Sequence, residues 1–179
     1  MSEPEPTYKT SPIEDADAKS GFSCGKHALD DYFARHAVAN DRAGIGRAYV
    51  LRRGAGDPSE LPAILGFYTL SMAAAESAQL APALQAKLPK YPMPVALIGR
   101  LAIDQRATRR GLGEALLMDA LRRVVDVANV LGCVGIIVDA KDEDAERFYT
   151  RYDFVTVTNA WPRRMFLPIG TARAAFVDE

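Results

Sequence analysis

Two glycines and two arginines lie together in the stretch ATRRGLGEALL, residues 107–117, just ahead of an apolar run with helical spacing. A helix start leaves backbone N–H groups without partners and carries partial positive charge, and both favour an anion. Gly111 and Gly113 have no side chains that would block a phosphate. Arg109 and Arg110 add charge and forked N–H donors. The same pattern also fits a plain tight loop before a helix, because isolated Gly-x-Gly matches are common.

Other phosphate sites are excluded by spacing. The chain has no GxxxxGK[ST] sequence, and its glycines do not form GxGxxG within a β-α-β unit. The remaining interpretation is a less general anion site made of backbone amides.

The elements around this stretch follow from hydrophobic periodicity. Residues 95–104 are nearly all apolar and predict a strand buried on both faces. The pattern then changes to a helix that runs from residue 111 to near residue 132. The other predicted elements are helices over 25–40, within 80–94 and over 142–152, and strands over 47–53, 62–73, 135–140, 154–158 and 163–169. This order predicts an α/β (α+β) domain around a mixed sheet.

Composition limits the class of protein. A chain of 179 residues with 49% hydrophobic and 25% charged residues suits one globular domain, here 21–175, after a flexible polar lead over 1–20. Cys24 and Cys133 are far apart without metal-ligand spacing, so neither a structural disulfide nor a metal site is expected. The start lacks signal-peptide features and no run is long enough to span a membrane, so we expect a cytoplasmic protein without membrane contact.

Two motifs resemble the GNAT superfamily of acetyl-CoA-dependent N-acetyltransferases. TRRGLG, residues 108–113, matches the family's Q/R-x-x-G-x-G/A pattern, with Thr108 where Gln or Arg is usual. DEDAERFYTRYDF, residues 142–154, resembles the later N-x-x-A-x-x-F/L-Y-x-x-x-G-F helix and turn. Asp142 replaces Asn there, and Asp153 replaces Gly but tolerates the left-handed turn that Gly would take. The resemblance implies a GNAT fold, in which a central, mixed, splayed β-sheet is flanked by helices.

The resemblance also implies how acetyl-CoA would be held. The free backbone groups of the central strand, here Leu101, Ala102 and Ile103, would pair with the pantetheine arm as another strand would. The pyrophosphate would lie on the amides of Arg109 to Glu114, a run that includes Leu112 and Gly113. A pantetheine contact from Asp142 is also predicted, although the change from Asn alters it.

Tyr149 is the candidate catalytic residue that the resemblance provides. In the family, a tyrosine at this position hydrogen-bonds the CoA sulfur and returns a proton to the leaving thiolate. With a thiol pKa of about 8.5 and a phenol pKa of about 10, the transfer is uphill by ~2 kcal/mol, which positioning or a small pKa shift offsets. The alternative is that Tyr149 is an amphipathic core residue like Tyr152. A backbone N–H near Ile103 would polarise the acetyl carbonyl.

No general base is evident in the sequence. Asp104, Glu114 and Asp142 can each be interpreted as a loop charge, a helix-start charge or a cap. An α-amino group, with a pKa of about 7.7 to 8.0, needs less help than a lysine near 10.4. This difference favours an α-amine acceptor.

Residues 20–172 further resemble one branch, the acetyltransferase toxins of bacterial toxin-antitoxin pairs. The similarity lies in residues 22–51, in GRLAID (99–104) and in RRMFLPIGTA (163–172). Known members acetylate the α-amine of the amino acid on charged tRNA and are silenced by a ribbon-helix-helix antitoxin. The resemblance therefore implies aminoacyl-tRNA and such an antitoxin as partners, and a homodimer.

If tRNA is a partner, basic residues should form a surface that binds its phosphates. Some of them could line a phosphate-binding face, or they could be ordinary solvated charges paired with Asp and Glu, since the net charge is only −1. The candidates are Arg42, Arg47, Arg52, Arg53, Lys87, Lys90, Arg106, Arg109, Arg110, Arg122, Arg123, Arg163 and Arg164. Three functions thus stay open: the tRNA-directed toxin, an N-acetyltransferase of a small amine or peptide, and a non-catalytic acetyl-CoA-binding module.

Overall fold

The fold was obtained as a computed structural model that describes residues 8–80 and 82–177. The strands are β1 (Ser11–Pro12), β2 (Arg47–Arg52), β3 (Ile64–Ala75), β4 (Met93–Ile103), β5 (Gly135–Ala140), β6 (Val155–Thr156) and β7 (Arg163–Pro168). The α-helices are α1 (His27–Arg35), α2 (Ala37–Arg42), α3 (Pro82–Gln85), α4 (Leu112–Ala128), α5 (Glu143–Thr150) and α6 (Ile169–Ala174). Short 3-10 helices lie at Asp15–Lys19, Ser77–Gln79 and Gln105–Ala107.

Among the described residues, seven strands form one sheet in the order β1-β2-β3-β4-β5-β7-β6. β5 is parallel to β4 and antiparallel to β7, so the sheet is mixed, as the sequence predicts. The chain passes from β4 to β5 through α4, the kind of crossover that a parallel pair requires.

The chain divides into two compact units. The first holds residues up to Thr69 together with Arg100–Asp119, and the second holds Leu70–Gly99 together with residues from Ala120 onward. β3, β4 and α4 each contribute residues to both units.

An aromatic cluster forms the core of the first unit. The ring centroid of Phe67, on β3, lies 4.8 Å from that of Phe33 on α1 and 5.3 Å from that of Phe22. Tyr32 stacks on Phe67 with an interplanar angle of 14°. Because aromatic rings bury large apolar areas, this cluster anchors α1 on the sheet. Ala102 of β4 belongs to the same core.

The core of the second unit is aliphatic, with one aromatic ring. It contains Ala75, Leu80, Met93, Val95, Ile137 and Phe166. At Gly135, which faces Phe166 and Leu167, an added Cβ would lie 2.5 Å from the Leu167 oxygen and closer still to Phe166 Cε2, so only glycine fits there. An ion pair also crosses β5 and β7, where Arg164 Nε lies 3.0 Å from Asp139 Oδ1 at directly paired positions.

The structure differs from the sequence prediction in the first helical region. One helix over 25–40 is predicted, but α1 and α2 are separated at His36, whose φ of −122° and ψ of −28° are not helical. The apolar spacing continues through the break, because Tyr32, Phe33 and Ala37 are all buried. Periodicity therefore does not reveal the change of direction.

The predicted flexible lead over 1–20 includes regular structure that the sequence does not predict. β1 pairs antiparallel with β2, and both guanidinium Nη atoms of Arg52 donate to the buried carboxylate of Asp17. Thr10 Oγ1 also donates to Asp119 Oδ2 on α4, at 2.5 Å. Residues 11–19 are therefore attached to the first unit, while residues 1–7 lie outside the described part of the chain.

Gly66→Ala is expected to destabilise the protein by about 1 to 3 kcal/mol, because a Cβ at this position overpacks the first unit. The added atom would lie 2.8 Å from the Ala102 carbonyl oxygen and 2.9 Å from Leu116 Cδ1. Urea unfolding measures the change. Gly56→Ala is the control, since its Cβ would meet nothing within 4 Å, and an equal loss in both variants would contradict the close approach.

Candidate active site

The predicted phosphate-binding loop lies between β4 and α4 in the first unit. Arg109 and Gly111 both have left-handed backbone conformations, with φ of 63° and 71°. The first i−4 hydrogen bond of α4 runs from the Ala115 N–H to the Gly111 oxygen. The N–H groups of residues 112–114 therefore precede the helical ladder and are suited to an anion.

Glycine at position 111 is favoured by its conformation rather than by lack of space. A Cβ at this position would meet no described atom within 4 Å, but a φ of 71° strains any residue with a side chain. The open space in front of Gly111 fits the predicted approach of a pyrophosphate.

Asp104 determines where this loop begins. Its side chain is fully buried and accepts four hydrogen bonds, from the Ser23 N–H at 3.0 Å and from the N–H, Nε and Nη2 of Arg106 at 2.9, 3.0 and 2.9 Å. Its own N–H donates to the Leu65 oxygen on β3 at 2.8 Å. A carboxylate offers about four acceptor positions, and all four are occupied. Asp104 is therefore excluded as a general base and is a structural anchor of the loop.

The electrostatics of Asp104 agree with this role. Burial alone would raise the pKa of its carboxyl, but the hydrogen bonds from Arg106 and from the Ser23 N–H outweigh burial and hold the pKa below its usual value. The group is a carboxylate at neutral pH.

The segment before α1 packs on the loop through the same anchor. The Gln105 N–H donates to the Ser23 oxygen at 2.9 Å, and Arg106 Nη2 donates to the Gly21 oxygen at 3.2 Å. Asp30 accepts from the Ser23 hydroxyl and the Cys24 N–H. Residues that carry the resemblance in 22–51 therefore have a structural explanation, since they hold the predicted phosphate-binding loop.

Tyr149 lies in the second unit, on α5, with 8% of its surface exposed. Its ring contacts Phe148 and Phe154, with centroids at 5.1 and 5.4 Å. Burial raises the pKa of Tyr149, so the phenol is protonated at neutral pH, as a proton donor must be. The shift also makes proton transfer to a thiolate more uphill than the ordinary values suggest. A lower pKa of Tyr149 would assist the transfer, but burial shifts this pKa upward.

Asp142 and Asp153 frame α5. Asp142 Oδ1 accepts from the Ala145 N–H at 2.9 Å, so its side chain caps the helix. Its contact with pantetheine stays a prediction. Asp153 has a φ of 69°, which confirms that it takes the left-handed turn usual for glycine in this motif.

The predicted pantetheine segment ends β4 in the first unit. Ala102 is buried in the aromatic core, and Leu101 and Ile103 are partly buried. In the second unit, the register of β4 with β5 joins Ala96–Ile98 to Ile136–Val138, three pairs in a strand of eleven residues. This short register agrees with a splayed central strand, and the role of residues 101–103 stays a prediction.

Many of the candidate tRNA-binding arginines are ion-paired. Carboxylates lie within 4.0 Å of the guanidinium groups of Arg42, Arg47, Arg52, Arg106, Arg163 and Arg164. Arg53 instead donates to the oxygens of Ser59 and Leu61. For these residues, the alternative of ordinary paired or locally bonded charges is the better interpretation.

Arg100 was missed as a functional candidate. It is the only charged residue in the apolar run 95–103, and a charge inside a predicted buried strand is the signal that could have found it. Its Cζ lies 3.5 Å from the centroid of the Tyr32 ring.

The geometry agrees with comparisons to known proteins. Residues 68–164 match the acetyltransferase (GNAT) domain family. The chain belongs to this GNAT acetyltransferase family. This acetyltransferase is 35% identical over 166 residues to the tRNA-acetylating toxin of Mycobacterium tuberculosis, with 93% of this chain and 95% of the relative covered.

Solved structures show the same likeness. AtaT complexed with acetyl-methionyl-tRNAfMet aligns with the acetyltransferase at a TM-score of 0.81 and 30% identity, over 95% of this chain and 99% of that chain. A mutant of AtaT bound to acetyl-CoA and to the C-terminus of the antitoxin AtaR aligns at a TM-score of 0.78 and 26% identity, over 96% and 99%. The predicted GNAT fold and the resemblance to the acetyltransferase toxins are confirmed. None of the helices described is long and apolar enough to cross a membrane.

Asp104→Asn is expected to lower the free energy of unfolding by about 1 to 3 kcal/mol at pH 7, because Asn cannot accept all four hydrogen bonds. Since the pKa of Asp104 is lower in the folded state, its contribution is fully present above the unfolded-state pKa of about 3.9. It disappears as the pH falls through the folded-state pKa. The difference between wild type and variant should therefore shrink below about pH 4.

Denaturant unfolding from pH 7 to pH 3 measures this difference. Asp144→Asn is the control, because the Asp144 side chain is 88% exposed, and it should change stability by less than about 0.5 kcal/mol. A difference for Asp104→Asn that did not vary with pH would contradict the role of the ionised carboxylate.

Proposed function

We propose that this acetyltransferase is a toxin that acetylates the α-amino group of the amino acid on charged tRNA and thereby blocks translation. The observation that carries the proposal is the likeness to a tRNA-acetylating toxin over nearly the whole chain. Structural alignment with AtaT, which has been solved with acetyl-methionyl-tRNAfMet, supports it. Since charged tRNA is a cytoplasmic substrate, the proposal places the enzyme in the cytoplasm.

Acetyl-CoA is the proposed acetyl donor, and the residues present fit it. The two left-handed residues and the start of α4 leave amides at Arg109 to Glu114 that suit the pyrophosphate. Leu101 to Ile103 would offer backbone groups to the pantetheine arm. Arg109 and Arg110 are exposed and can reach phosphate oxygens. When bound, acetyl-CoA supplies the thioester whose acetyl group is transferred.

Tyr149 is the proposed proton donor of the reaction. The acceptor amine forms a C–N bond with the acetyl carbon, the C–S bond breaks, and Tyr149 protonates the sulfur that leaves. The Tyr149 phenolate then regains a proton from water. A backbone N–H at or near Ile103 stabilises the negative charge that develops on the carbonyl oxygen. Because burial raises the pKa of Tyr149, the proposal requires that the phenol be hydrogen-bonded to the sulfur, so that the thiolate is neutralised as it forms.

No carboxylate of the loop is needed as a base in this proposal. Asp104 has no vacant acceptor position, and Asp142 caps α5. An α-amine with a pKa of about 8 is partly neutral at physiological pH and attacks directly, with loss of its proton to water. The lack of an assigned base therefore agrees with an α-amine acceptor.

An antitoxin is the proposed protein partner. The solved complex of AtaT with the C-terminus of AtaR supports a partner of this kind. We propose a ribbon-helix-helix antitoxin and a homodimeric toxin, which size measurements of the co-expressed proteins can check.

A second candidate function is N-acetylation of a small amine or peptide. Carboxylates neutralise six of the candidate arginines, and the net charge of the chain is −1. Both facts reduce the attraction of the surface for RNA. A non-catalytic acetyl-CoA-binding module is the third alternative, and Tyr149 argues against it.

Tyr149→Phe is expected to abolish growth arrest, because it removes the proton donor but keeps the ring that packs between Phe148 and Phe154. Inducible expression of the wild-type chain should arrest growth. In purified protein, kcat should fall about 100-fold or more, the range for loss of a general acid. Tyr152→Phe, a tyrosine of the same motif outside the proposed site, should arrest growth like wild type.

Transfer from labelled acetyl-CoA separates the three functions. The proposed toxin labels charged tRNA in preference to free amino acids, amines and peptides. Transfer to small amines without transfer to charged tRNA would establish the second function. Binding of acetyl-CoA without turnover on any amine would establish the third.

A further inference from the structure

Arg100 is a charged side chain within an apolar strand. It lies near the end of β4 and directly precedes the proposed pantetheine segment, Leu101 to Ile103. The residue is partly buried, and its Cζ lies 3.5 Å from the centroid of the Tyr32 ring on α1. The cation is therefore held on the face of an aromatic ring, a favourable contact for a guanidinium.

No carboxylate pairs with Arg100 among residues 8–80 and 82–177. This distinguishes it from Arg52, Arg106 and Arg164, each of which has a carboxylate partner within 4.0 Å. A guanidinium carries five N–H donors and stays charged at any pH that the protein survives. These N–H donors point outward in the plane of the guanidinium. The contact of its face with the Tyr32 ring does not supply them with a hydrogen-bond acceptor. Arg100 is thus equipped to bind an anion that none of the described residues provides.

The position of Arg100 is determined by the core of the first unit. Residues 100 and 102 lie on the same face of β4, and Ala102 packs in the aromatic core that also contains Tyr32. Tyr32 is itself buried and stacks on Phe67. The ring that holds the guanidinium therefore has little freedom to move, so that binding an anion would cost little side-chain entropy.

The chemistry of the proposed acceptor identifies the anion. In an aminoacyl-tRNA, the α-amine is neutral or positive and the ester is neutral, so the phosphodiesters carry the negative charge that every charged tRNA shares. The pyrophosphate of acetyl-CoA is already assigned to the amides of Arg109 to Glu114, and the 3′-phosphate of coenzyme A is attached to the ribose on the far side of the pyrophosphate from the pantetheine arm. Because Arg100 directly precedes the proposed pantetheine segment, the phosphates of the acceptor end are the ones expected to come within its reach.

We infer that Arg100, held against Tyr32, binds a phosphate group at the 3′ end of the charged tRNA. This inference rests on the proposed function and names the residue of that site that contacts the nucleic acid part of the acceptor. Guanidinium and phosphate match in geometry, because two parallel N–H donors can bind two phosphate oxygens.

The test compares two classes of acceptor that share an α-amine. One is charged tRNA, and the other is a panel of amino acid methyl esters, which lack phosphate. Arg100→Ala should raise the KM for charged tRNA at least tenfold. It should leave the KM for acetyl-CoA and the rate on methyl esters within about twofold of wild type, since those substrates do not use this phosphate contact. Arg100→Lys should recover part of the loss, because it keeps the charge but not the fork.

Salt dependence gives a second readout, measured by binding of an RNA hairpin with a 3′ single-stranded end. Loss of one phosphate contact should reduce the slope of log K against log salt by about 0.7 for a single strand. Arg147→Ala is the matched control, since it also removes one positive charge, and the Arg147 side chain is 67% exposed on α5. This control should leave KM for charged tRNA and the rate on methyl esters unchanged.

The outcomes separate this inference from the proposed function. If wild type acetylates charged tRNA and Arg100→Ala does so with unchanged KM and salt slope, the inference is wrong and the proposed function stands. If the variant loses activity equally on charged tRNA and on methyl esters, Arg100 has a structural role and the inference is again wrong. If wild type labels methyl esters but never charged tRNA, the proposed function fails and the inference fails with it.

Discussion

The carboxylate of Asp104 is closed off from solvent, and N–H groups of Ser23 and Arg106 fill its four acceptor positions. A buried charge is tolerated only when it is paired and hydrogen-bonded in this way. Three parts of the first unit depend on the arrangement: the end of β4, the loop that leads to α4, and the segment that leads to α1. Arg109 and Gly111, with their left-handed conformations, lie in the same loop, a few residues after this anchor.

Pairing of charges within the protein also describes most of the arginines. Most of the arginines suggested as a tRNA surface satisfy their charge within the protein, through Asp17 for Arg52 and Asp139 for Arg164, for example. Arg100 is held by a ring instead of a carboxylate. Whether an arginine already has a carboxylate partner therefore indicates whether it is available to an anionic substrate. The number of positive residues does not.

Tyr149 illustrates a compromise between packing and chemistry. Its ring lies against Phe148 and Phe154, and the same burial that places the ring raises the pKa of the phenol. A buried phenol stays protonated and ready to donate, but it is a weaker acid than one in water. In the proposed reaction, donation becomes possible only when the thiolate forms next to the hydroxyl, which ties proton transfer to the breaking of the thioester.

Local pattern alone determined much of this protein. The strands from β2 to β7, most of the helices, the left-handed turn at Asp153 and the motifs of residues 108–113 and 142–154 were readable, because each depends on neighbours in the chain. The break at His36, the pairing of residues 11–19 with the sheet, the fourfold hydrogen bonding of Asp104 and the contact of Arg100 with the Tyr32 ring were not. These features depend on groups up to 81 residues apart. Only the tertiary structure decides which donor meets which carboxylate, because burial and pairing of charge are properties of the packed chain.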